Sequence, residues 1–518
     1  MGLIETIVTS TKERVASATQ TELVLAIVLI TFTIVLVTRR SNVPEGVKFP
    51  PRVGHYIPFV GSAIEFGASP ITFLHECYKT YGPVFTFKMM GMDCTYVIGS
   101  EASALMFNSK NDDLNAESVY ASLTVPVFGK GVAYDIDAKE FGEQKRISKA
   151  GLTINRFQEY VPMIEEETTK YLQRWGNEGK TDLFKCMAEL VIMTASRCLL
   201  GREVRALLDE SVADLYHDLD GGFTPAAWLL PGWLPLPSFR TRDRAHIKLK
   251  KVFTDIIGER RRTQKEKAEG ESEGTDMMWT FMNTPYRNGQ LMTDDQVAGM
   301  CIALLLAGQH TSSTTASWAG FYMCHDKRLQ DRARAEVLDT VGEHTTPTFE
   351  DLKELTFLDN TIRETLRLRP PIMTMMRTVQ TPQQLMGYTI PIGGYVCASP
   401  TVNHLLEDAW GPDNMDFNPD RFEGMRTDKA DELTRDASAT PGKGKFSYVP
   451  FGAGRHRCIG EMFAYTQIKT IWTTMLREFE LSRDSLPDID YTTMIHTPKD
   501  PWVYYKRREA HKQAPGAV

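Results

Sequence analysis

The pattern of hydrophobic and polar residues contains three apolar stretches, and the first predicts a membrane anchor. Leu23 to Val37 carries no charge and is followed directly by Arg39 and Arg40. At about 1.5 Å per residue, a helix over residues 22–38 comes close to the thickness of a bilayer core. No basic region precedes the run, which argues against a cleaved signal, and the arginines favour a cytosolic C-terminal side. Residues 1–21 are therefore predicted to be luminal; the alternative is a buried core helix.

The second apolar stretch, Val297 to Gly308, predicts a helix through the core of a large domain. Thr293 and Gln296 have the spacing of a capping box that opens a helix. The run is too short to span a membrane. Polar residues 309–313 follow within the same helix, where a threonine hydroxyl bonds back to the i−4 carbonyl and locally distorts the helix. Because buried polar groups need partners or a purpose, this helix is a candidate for chemistry.

The third apolar stretch, residues 226–237, is a loop rather than a spanning helix. Pro231 and Gly232 interrupt it. Its two tryptophans, Trp228 and Trp233, favour a loop that dips into the headgroup region of a membrane. The alternative is packing against the rest of the protein.

The remaining chain is predicted to form one large, mostly helical domain over residues 59–518. Residues 39–58 are rich in proline and predict a stiff connector. A length of 518 residues allows about three domains, but no Gly/Ser-rich or Pro-rich linker interrupts residues 60–420. The net charge of −7 argues against a nucleic-acid partner. The eight cysteines lack paired spacing, which fits a reducing compartment.

One cysteine, Cys458, lies in a loop with the sequence of a metal ligand site. Residues 451–460 read Phe-Gly-Ala-Gly-Arg-His-Arg-Cys-Ile-Gly. Neighbouring cations favour the thiolate, which is a soft anionic ligand, and Gly454 and Gly460 allow close approach of a flat macrocycle. The alternatives are a buried structural cysteine and half of another metal site. Zinc is disfavoured because His456 is only two residues away on the same loop.

Two further motifs predict a buried ionic triad. Glu364 and Arg367 stand at i and i+3 on one helix face, and Arg421 can join them through its planar donor fork. Such a pair is usually a solvated surface pair. Here apolar neighbours flank it and Pro370 follows, which favours a buried structural role.

Together, E-x-x-R, P-D-R-F and F-x-x-G-x-x-x-C-x-G resemble the motifs of the haem-thiolate monooxygenases, the cytochrome P-450 family. Residues 120–135, 307–312, 370–373 and 492–498 look like those of sterol 14α-demethylases, with an animal-like character. The resemblance covers about residues 45–506. It implies a mainly α fold with small β-sheets, and haem b whose iron takes its axial thiolate from Cys458.

The resemblance also implies roles for individual residues. Thr311 is expected to stabilise activated oxygen at the iron, and Asp220 and His310 to relay protons toward it. The alternatives are a satisfied core histidine at 310 and a helix-terminal aspartate at 220. The chain departs from many animal members at Pro225, where they carry histidine. The expected haem-propionate donors are Tyr120, Tyr134, Lys145, Arg377 and Arg457, and His456 is also expected to bind the cofactor. The expected pocket residues are Leu123, Phe128, Phe223, Ala307, Ile372 and Met494.

Two positions in this set of motifs differ from the wider family, and one expected donor has an alternative role. Phe141 and Lys145 stand where tryptophan and arginine are common. Arg457 has an alternative role at the surface that meets the electron donor.

The implied activity is sterol 14α-demethylation in the endoplasmic-reticulum membrane. Three successive oxygenations would remove the methyl group of lanosterol or 24,25-dihydrolanosterol as formate, leaving a Δ14 double bond. Because the chain shows no dinucleotide Gly-rich fold and no flavin module, electrons from NADPH are expected through a separate reductase. One alternative is a haem-thiolate hydroxylase of another sterol or lipid. The other is a non-catalytic haem sensor or sterol binder.

Overall fold

The chain divides into two compact units, Met1–Lys48 and Phe49–Val518. The predicted luminal tail and anchor lie outside the described residues. Within the described part, none of the helices combines the length and the apolar character needed to cross a bilayer. The computed structural model describes residues 46–207, 215–266, 276–424 and 444–511, except positions 56, 217, 220, 222, 223, 225, 226, 228, 229, 231 and 233.

Helices dominate the second unit, in agreement with the predicted class. The helices of its first half are α1 (Ala63–Ala68), α2 (Pro70–Tyr81), α3 (Ser100–Asn108), α4 (Glu117–Phe128), α5 (Ala138–Ala150), α6 (Ile154–Leu172), α7 (Leu183–Ala195), α8 (Arg202–Leu207) and α9 (Pro237–Glu266). Those of its second half are α10 (Met277–Asn283), α11 (Asp294–His325), α12 (Lys327–Thr340), α13 (Phe349–Glu354), α14 (Thr356–Leu368), α15 (Pro400–Asn403), α16 (Glu407–Trp410) and α17 (Glu461–Glu478).

The described strands form small sheets. They are β1 (Val84–Met89), β2 (Met92–Val97), β3 (Leu114–Asn115), β4 (Glu178–Asp182), β5 (Met375–Val379), β6 (Gln383–Leu385), β7 (Tyr388–Ile390), β8 (Tyr395–Ala398), β9 (Phe479–Ser482), β10 (Ile489–Asp490), β11 (Thr497–Pro498) and β12 (Trp502–Arg507). The largest sheet has the order β1-β2-β8-β5-β3, in which only β2 and β8 run parallel. A second has the order β4-β12-β9, and β6-β7 and β10-β11 are two-stranded.

Helix α11 forms the centre of the core, as its apolar run predicts. Its capping box is present: Thr293 Oγ1 accepts from Gln296 N at 3.2 Å, and Gln296 Oε1 accepts from Thr293 N at 3.0 Å. Farther along, Trp318 is fully buried and donates its indole N–H to the His496 carbonyl at 2.6 Å. Trp472 of α17 donates likewise to the Ala316 carbonyl at 3.1 Å. These bonds satisfy the polar end of each large side chain inside the core.

The structure brings the predicted triad together. Arg367 Nε and Nη2 donate to the two carboxylate oxygens of Glu364 at 2.7 and 2.8 Å, and both side chains are fully buried. Arg421 Nε donates to Glu364 Oε1 at 3.2 Å. His404 connects this cluster onward: its Nδ1 lies 3.2 Å from the Arg367 carbonyl, and its Nε2 accepts from Val449 N at 2.9 Å. The triad therefore fixes α14 to the segment that leads into the cysteine loop.

Candidate active site

Cys458 lies in the loop before α17, with its sulfur held by backbone. Its amide donates to the Phe451 carbonyl at 2.9 Å, and Gly460 N donates to Sγ at 3.3 Å. Cys458 as a whole residue is exposed, yet the protein packed around the thiol desolvates it and so raises its pKa. The Gly460 amide, Lys145 and Arg457 oppose that rise. Those donors and cations stabilise a thiolate, the form in which a coordinating cysteine binds metal.

Gly454 is required by the loop for a reason that was not foreseen from the sequence. Its φ is +66°, and a Cβ there would lie 2.2 Å from the Phe107 carbonyl oxygen. The glycine thus lets the loop turn and pack against the end of α3, and its expected approach to a macrocycle stays a prediction. At Gly460 a Cβ would meet Cys458 Sγ only at ordinary contact distance, 3.8 Å.

Lys145 of α5 braces the loop from one side. Its ammonium donates to the Arg455 carbonyl at 2.7 Å and to the Arg457 carbonyl at 2.8 Å, on either side of His456. Burial, reinforced by the charge of Lys149, lowers the pKa of Lys145 to about 8. One of its three donors remains for another acceptor.

A row of aromatic rings lies between α4, α5 and the loop. The ring centroids of Tyr120 and Tyr134 are 5.1 Å apart, and Phe141 lies 5.7 Å from Tyr134 and 5.2 Å from His456. The Tyr120 hydroxyl accepts from Met376 N at 3.0 Å. Burial raises the pKa of Tyr134 to about 12, so its phenol stays a proton donor. The expected propionate donors therefore share one region.

The donors in this region fit an anionic cofactor edge. Arg377 is only 7% exposed and donates one N–H to the Met376 carbonyl at 2.7 Å. Across the described residues, no carboxylate forms an ion pair with Arg377 or Lys145. Among the described residues, the buried Nδ1 of His456 has no hydrogen-bond partner. Burial and the positive charges of Arg377 and Lys145 lower the pKa of His456 to about 3. The buried guanidinium of Arg377 needs an anion, and the two propionates of haem would supply it.

Helix α11 offers open space at the turn that contains Ala307. The Ala307 side chain is exposed, and a Cβ on Gly308 would meet nothing within 4 Å. Thr311 Oγ1 donates to the Ala307 carbonyl at 2.7 Å, which is the i−4 bond that the sequence predicts. The expected distortion does not interrupt the helix, since α11 runs unbroken from Asp294 to His325. The hydroxyl oxygen of Thr311 keeps its lone pairs for a donor at this turn.

The predicted proton relay is described only in part. His310 is half-buried beside Thr311, and its carbonyl accepts from Ser313 Oγ at 3.3 Å. Asp220 and Phe223 lie outside the described residues, so the relay and one pocket residue stay predictions.

The predicted pocket residues fall into more than one cluster. Leu123 is 6% exposed and packs with Ala227, Phe239 and Met494. Phe128 belongs instead to the main core, next to α11. Ile372 forms an isolated antiparallel bridge with Ile495, one residue from Met494, and its side chain is exposed.

The described part of the third apolar stretch packs against the domain. Ala227, Leu234 and Leu236 all belong to the cluster around Leu123. Leu230 is exposed. Packing against the domain therefore holds for Ala227, Leu234 and Leu236, whereas Trp228 and Trp233 are not among the described residues.

Two residues near the ligand loop were missed from the sequence. Glu461 Oε2 accepts from Arg457 Nη2 at 2.7 Å, and the i, i+4 spacing of this pair was the available signal. His404 carried no local signal, because its two partners are distant in sequence. The pairing of Arg457 with Glu461 commits part of its guanidinium to the protein.

Three features together define a haem-thiolate site. They are a cysteine in a loop that Lys145 braces, buried donors for two carboxylates, and open space beside an apolar helix. The chain is accordingly a haem-thiolate monooxygenase by class. The family model for cytochrome P-450 matches residues 51–504. The chain belongs to this family, and the resemblance drawn from its motifs is confirmed.

Its relatives narrow the family further. The chain is 55% identical over 471 residues to lanosterol 14-alpha demethylase of Rattus norvegicus, covering 90% of this chain and 89% of that protein. It is 55% identical to the Homo sapiens protein of that name, with 90% and 88% covered. The Schizosaccharomyces pombe relative, lanosterol 14-alpha demethylase erg11, is 41% identical, with 89% and 94% covered. The animal-like character expected from the sequence agrees with these values.

A solved structure supports the fold. Retinoic acid-bound cyanobacterial CYP120A1 superposes with a TM-score of 0.75 over 90% of this chain and 100% of that one, at 21% identity. At that identity the likeness concerns the fold alone.

Proposed function

We propose that this protein removes the 14α-methyl group of lanosterol or 24,25-dihydrolanosterol in sterol biosynthesis. Three successive oxygenations, each using O2 and NADPH, convert the methyl to an alcohol, then an aldehyde, and then release it as formate with a new Δ14 double bond. The observation that carries the proposal is 55% identity over nine-tenths of the chain to animal enzymes named for this substrate and reaction.

The pocket supports a flat hydrocarbon substrate. Leu123 and Met494 belong to one apolar cluster, and Ala307 borders open space on α11. Apolar walls with few polar groups are typical of such a site. We assign to Leu123 a preference for C4-dimethyl sterols over 4α-monomethyl sterols such as obtusifoliol. Family members that prefer the monomethyl sterols tend to carry phenylalanine at this position, and the smaller leucine leaves room for the second C4 methyl.

The residues of the chain divide the work of the reaction. Bound haem supplies the activation of dioxygen. Cys458 would supply the thiolate that binds the iron, and Lys145, Arg377 and His456 would hold the propionate edge. Thr311 presents a hydroxyl at the turn of α11 where Ala307 is exposed, and there it would orient oxygen and water.

Proton delivery is assigned to His310 and Asp220. A histidine exchanges protons near neutral pH, and His310 is adjacent to Thr311 in α11. In this proposal Asp220 takes protons from solvent and passes them through His310 to the Thr311 hydroxyl.

The setting is the endoplasmic-reticulum membrane. The charge-free run of residues 22–38 followed by arginines supports a single-pass anchor with a cytosolic catalytic domain. Electrons come from a separate NADPH-dependent flavoprotein reductase. Deletion of residues 1–40 should then leave a haem-containing domain with weaker membrane attachment.

The decisive experiment is turnover of the purified full-length protein with a reductase, NADPH and dihydrolanosterol in lipid vesicles. Formate and the Δ14 sterol should appear in equal amounts. A stable hydroxylated sterol without formate would favour the hydroxylase alternative, and binding without NADPH consumption would favour the non-catalytic one. A Cys458→Ser protein serves as the inactive control.

A further inference from the structure

The C-terminal end of α4 depends on a donor from outside the helix. α4 contains Pro126, which has no N–H, and it ends at Phe128 before Gly129, whose φ is +92°. Gly129 N donates to the Val125 carbonyl at 2.9 Å. The remaining carbonyls of the last turn have no intrahelical donor and need one from elsewhere.

His246 of α9 supplies such a donor. Its Nδ1 lies 2.9 Å from the Val127 carbonyl oxygen. Because a carbonyl only accepts, Nδ1 carries the proton. The ring also lies against Gly129, where a Cβ would be 3.4 Å from the histidine Cε1. Among the described residues, this is the hydrogen bond that joins α4 to α9.

The two helices joined in this way both contribute to the apolar cluster that holds the expected pocket residues Leu123 and Met494. Leu123 of α4 and Phe239 of α9 are buried in one apolar cluster together with Met494. Phe128, one residue beyond the bonded carbonyl, packs next to α11. A large ligand that passes between α4 and α9 has to break the His246–Val127 bond, whereas a ligand of a few atoms does not need that opening.

We propose that His246 is a positioning residue that holds α4 against α9 and thereby sets the rate at which bulky ligands enter and leave the pocket. Both the neutral ring with a proton on Nδ1 and the charged ring donate to Val127, so the contact is not a pH switch. The inference rests on the pocket of the proposed function but not on the sterol reaction.

The test measures ligand entry by stopped-flow absorbance on the full-length holoenzyme. The probes are a bulky multi-ring azole and imidazole itself, which both coordinate haem iron. In His246→Ala, both the association and the dissociation rate of the bulky azole should rise about 2- to 12-fold, the factor that corresponds to one hydrogen bond. The dissociation constant should stay within about twofold, since the bond is present in both free and bound states. The imidazole rates should not change.

Two further variants separate the bond from general loosening. His246→Asn places an amide N–H near the position of Nδ1 and should restore slow entry. Lys248→Ala removes an exposed side chain from the same helix and should behave as wild type.

Three outcomes would overturn the inference. Unchanged azole rates in His246→Ala would mean that the contact does not limit entry. An equal increase for imidazole would indicate a loosened protein rather than an opened path. Failure of His246→Asn to slow entry would assign the effect to ring packing on Gly129. If the azoles behave as expected while no sterol is demethylated, the proposed function fails and this inference stands.

Discussion

Replacement of Arg367 by alanine tests whether the buried triad is what allows the chain to hold its cofactor. The side chain donates to both oxygens of Glu364, and Nη1 and Nη2 also donate to backbone carbonyls beyond α14. Those carbonyls belong to His404 at 3.0 Å, Asn414 at 2.5 Å and Asp416 at 3.0 Å. Alanine removes every one of these bonds at once and leaves Glu364 with Arg421 as its cation.

The cost can be worked from these contacts. Breaking a buried ion pair by removing one partner costs about 3–5 kcal/mol, because the other charge stays buried. Each carbonyl left without a donor adds about 1–3 kcal/mol where water cannot reach it. A typical domain is stable by about 5–15 kcal/mol, so Arg367→Ala should lose most or all of the free energy of unfolding. Arg421→Ala should cost less, about 1–3 kcal/mol, since Glu364 keeps both bonds to Arg367.

The assay is guanidinium unfolding of the purified proteins, followed by Soret absorbance and tryptophan fluorescence, with haem content per chain measured beforehand. Arg367→Ala should be recovered with little haem or none. Arg367→Lys keeps the charge but not the planar fork and should fall between wild type and alanine. An Arg367→Ala protein with full haem content that loses less than about 1 kcal/mol would refute the reasoning, because the buried bonds would then carry no net stability.

Four other outcomes follow from the site. Cys458→Ser should lose the thiolate-type Soret band of the ferrous carbon monoxide complex, and retention of that band would refute the ligand assignment. Thr311→Ala should bind sterol normally, seen in the difference spectrum, yet divert electrons to hydrogen peroxide; unchanged coupling of NADPH to product would contradict its role. Leu123→Phe should shift specificity from lanosterol toward obtusifoliol by about 10- to 200-fold in competition assays, whereas equal slowing of both would mean simple overpacking. Burial lowers the pKa of His404 in the folded protein to about 3, whereas an unfolded histidine has a pKa of about 6.5. Between these two pH values only the unfolded chain binds a proton at His404, so the free energy of unfolding falls as the pH is lowered. Unfolding at pH 5 rather than pH 7 should reveal about 2 kcal/mol lost at this site, and His404→Gln, which does not titrate, should remove that share.

Local spacing was sufficient to predict much of the site. The pairing of Glu364 with Arg367 is set by helix periodicity, and the capping box at Thr293 and the back-bond of Thr311 are likewise contacts within a few residues. The cysteine loop was recognisable because its residues are contiguous. Such features depend on backbone geometry that the sequence nearby determines.

Contacts between distant segments were not accessible in the same way. Lys145 was expected at the propionates, but its bonds to the carbonyls of a loop more than three hundred residues later were not foreseen. The contact of Gly454 with the end of α3 was not foreseen either. The bond from His246 to Val127 has no sequence signature at all. In each case the partner is a backbone atom, which any residue type provides, so residue identity alone does not reveal it.

The position of His404 links the supply of cofactor to the folding of the whole chain. Its ring connects the Arg367 carbonyl to Val449 N, and Phe451, two residues farther on, accepts from the amide of Cys458. A ligand that binds only the folded form of a protein raises the free energy of unfolding, and a more stable fold in turn binds more of the ligand. Haem bound at Cys458 therefore also secures α14, and a chain weakened at the triad should be rescued in cells by a richer supply of haem precursor. Availability of the cofactor then decides how much of a marginal variant survives quality control.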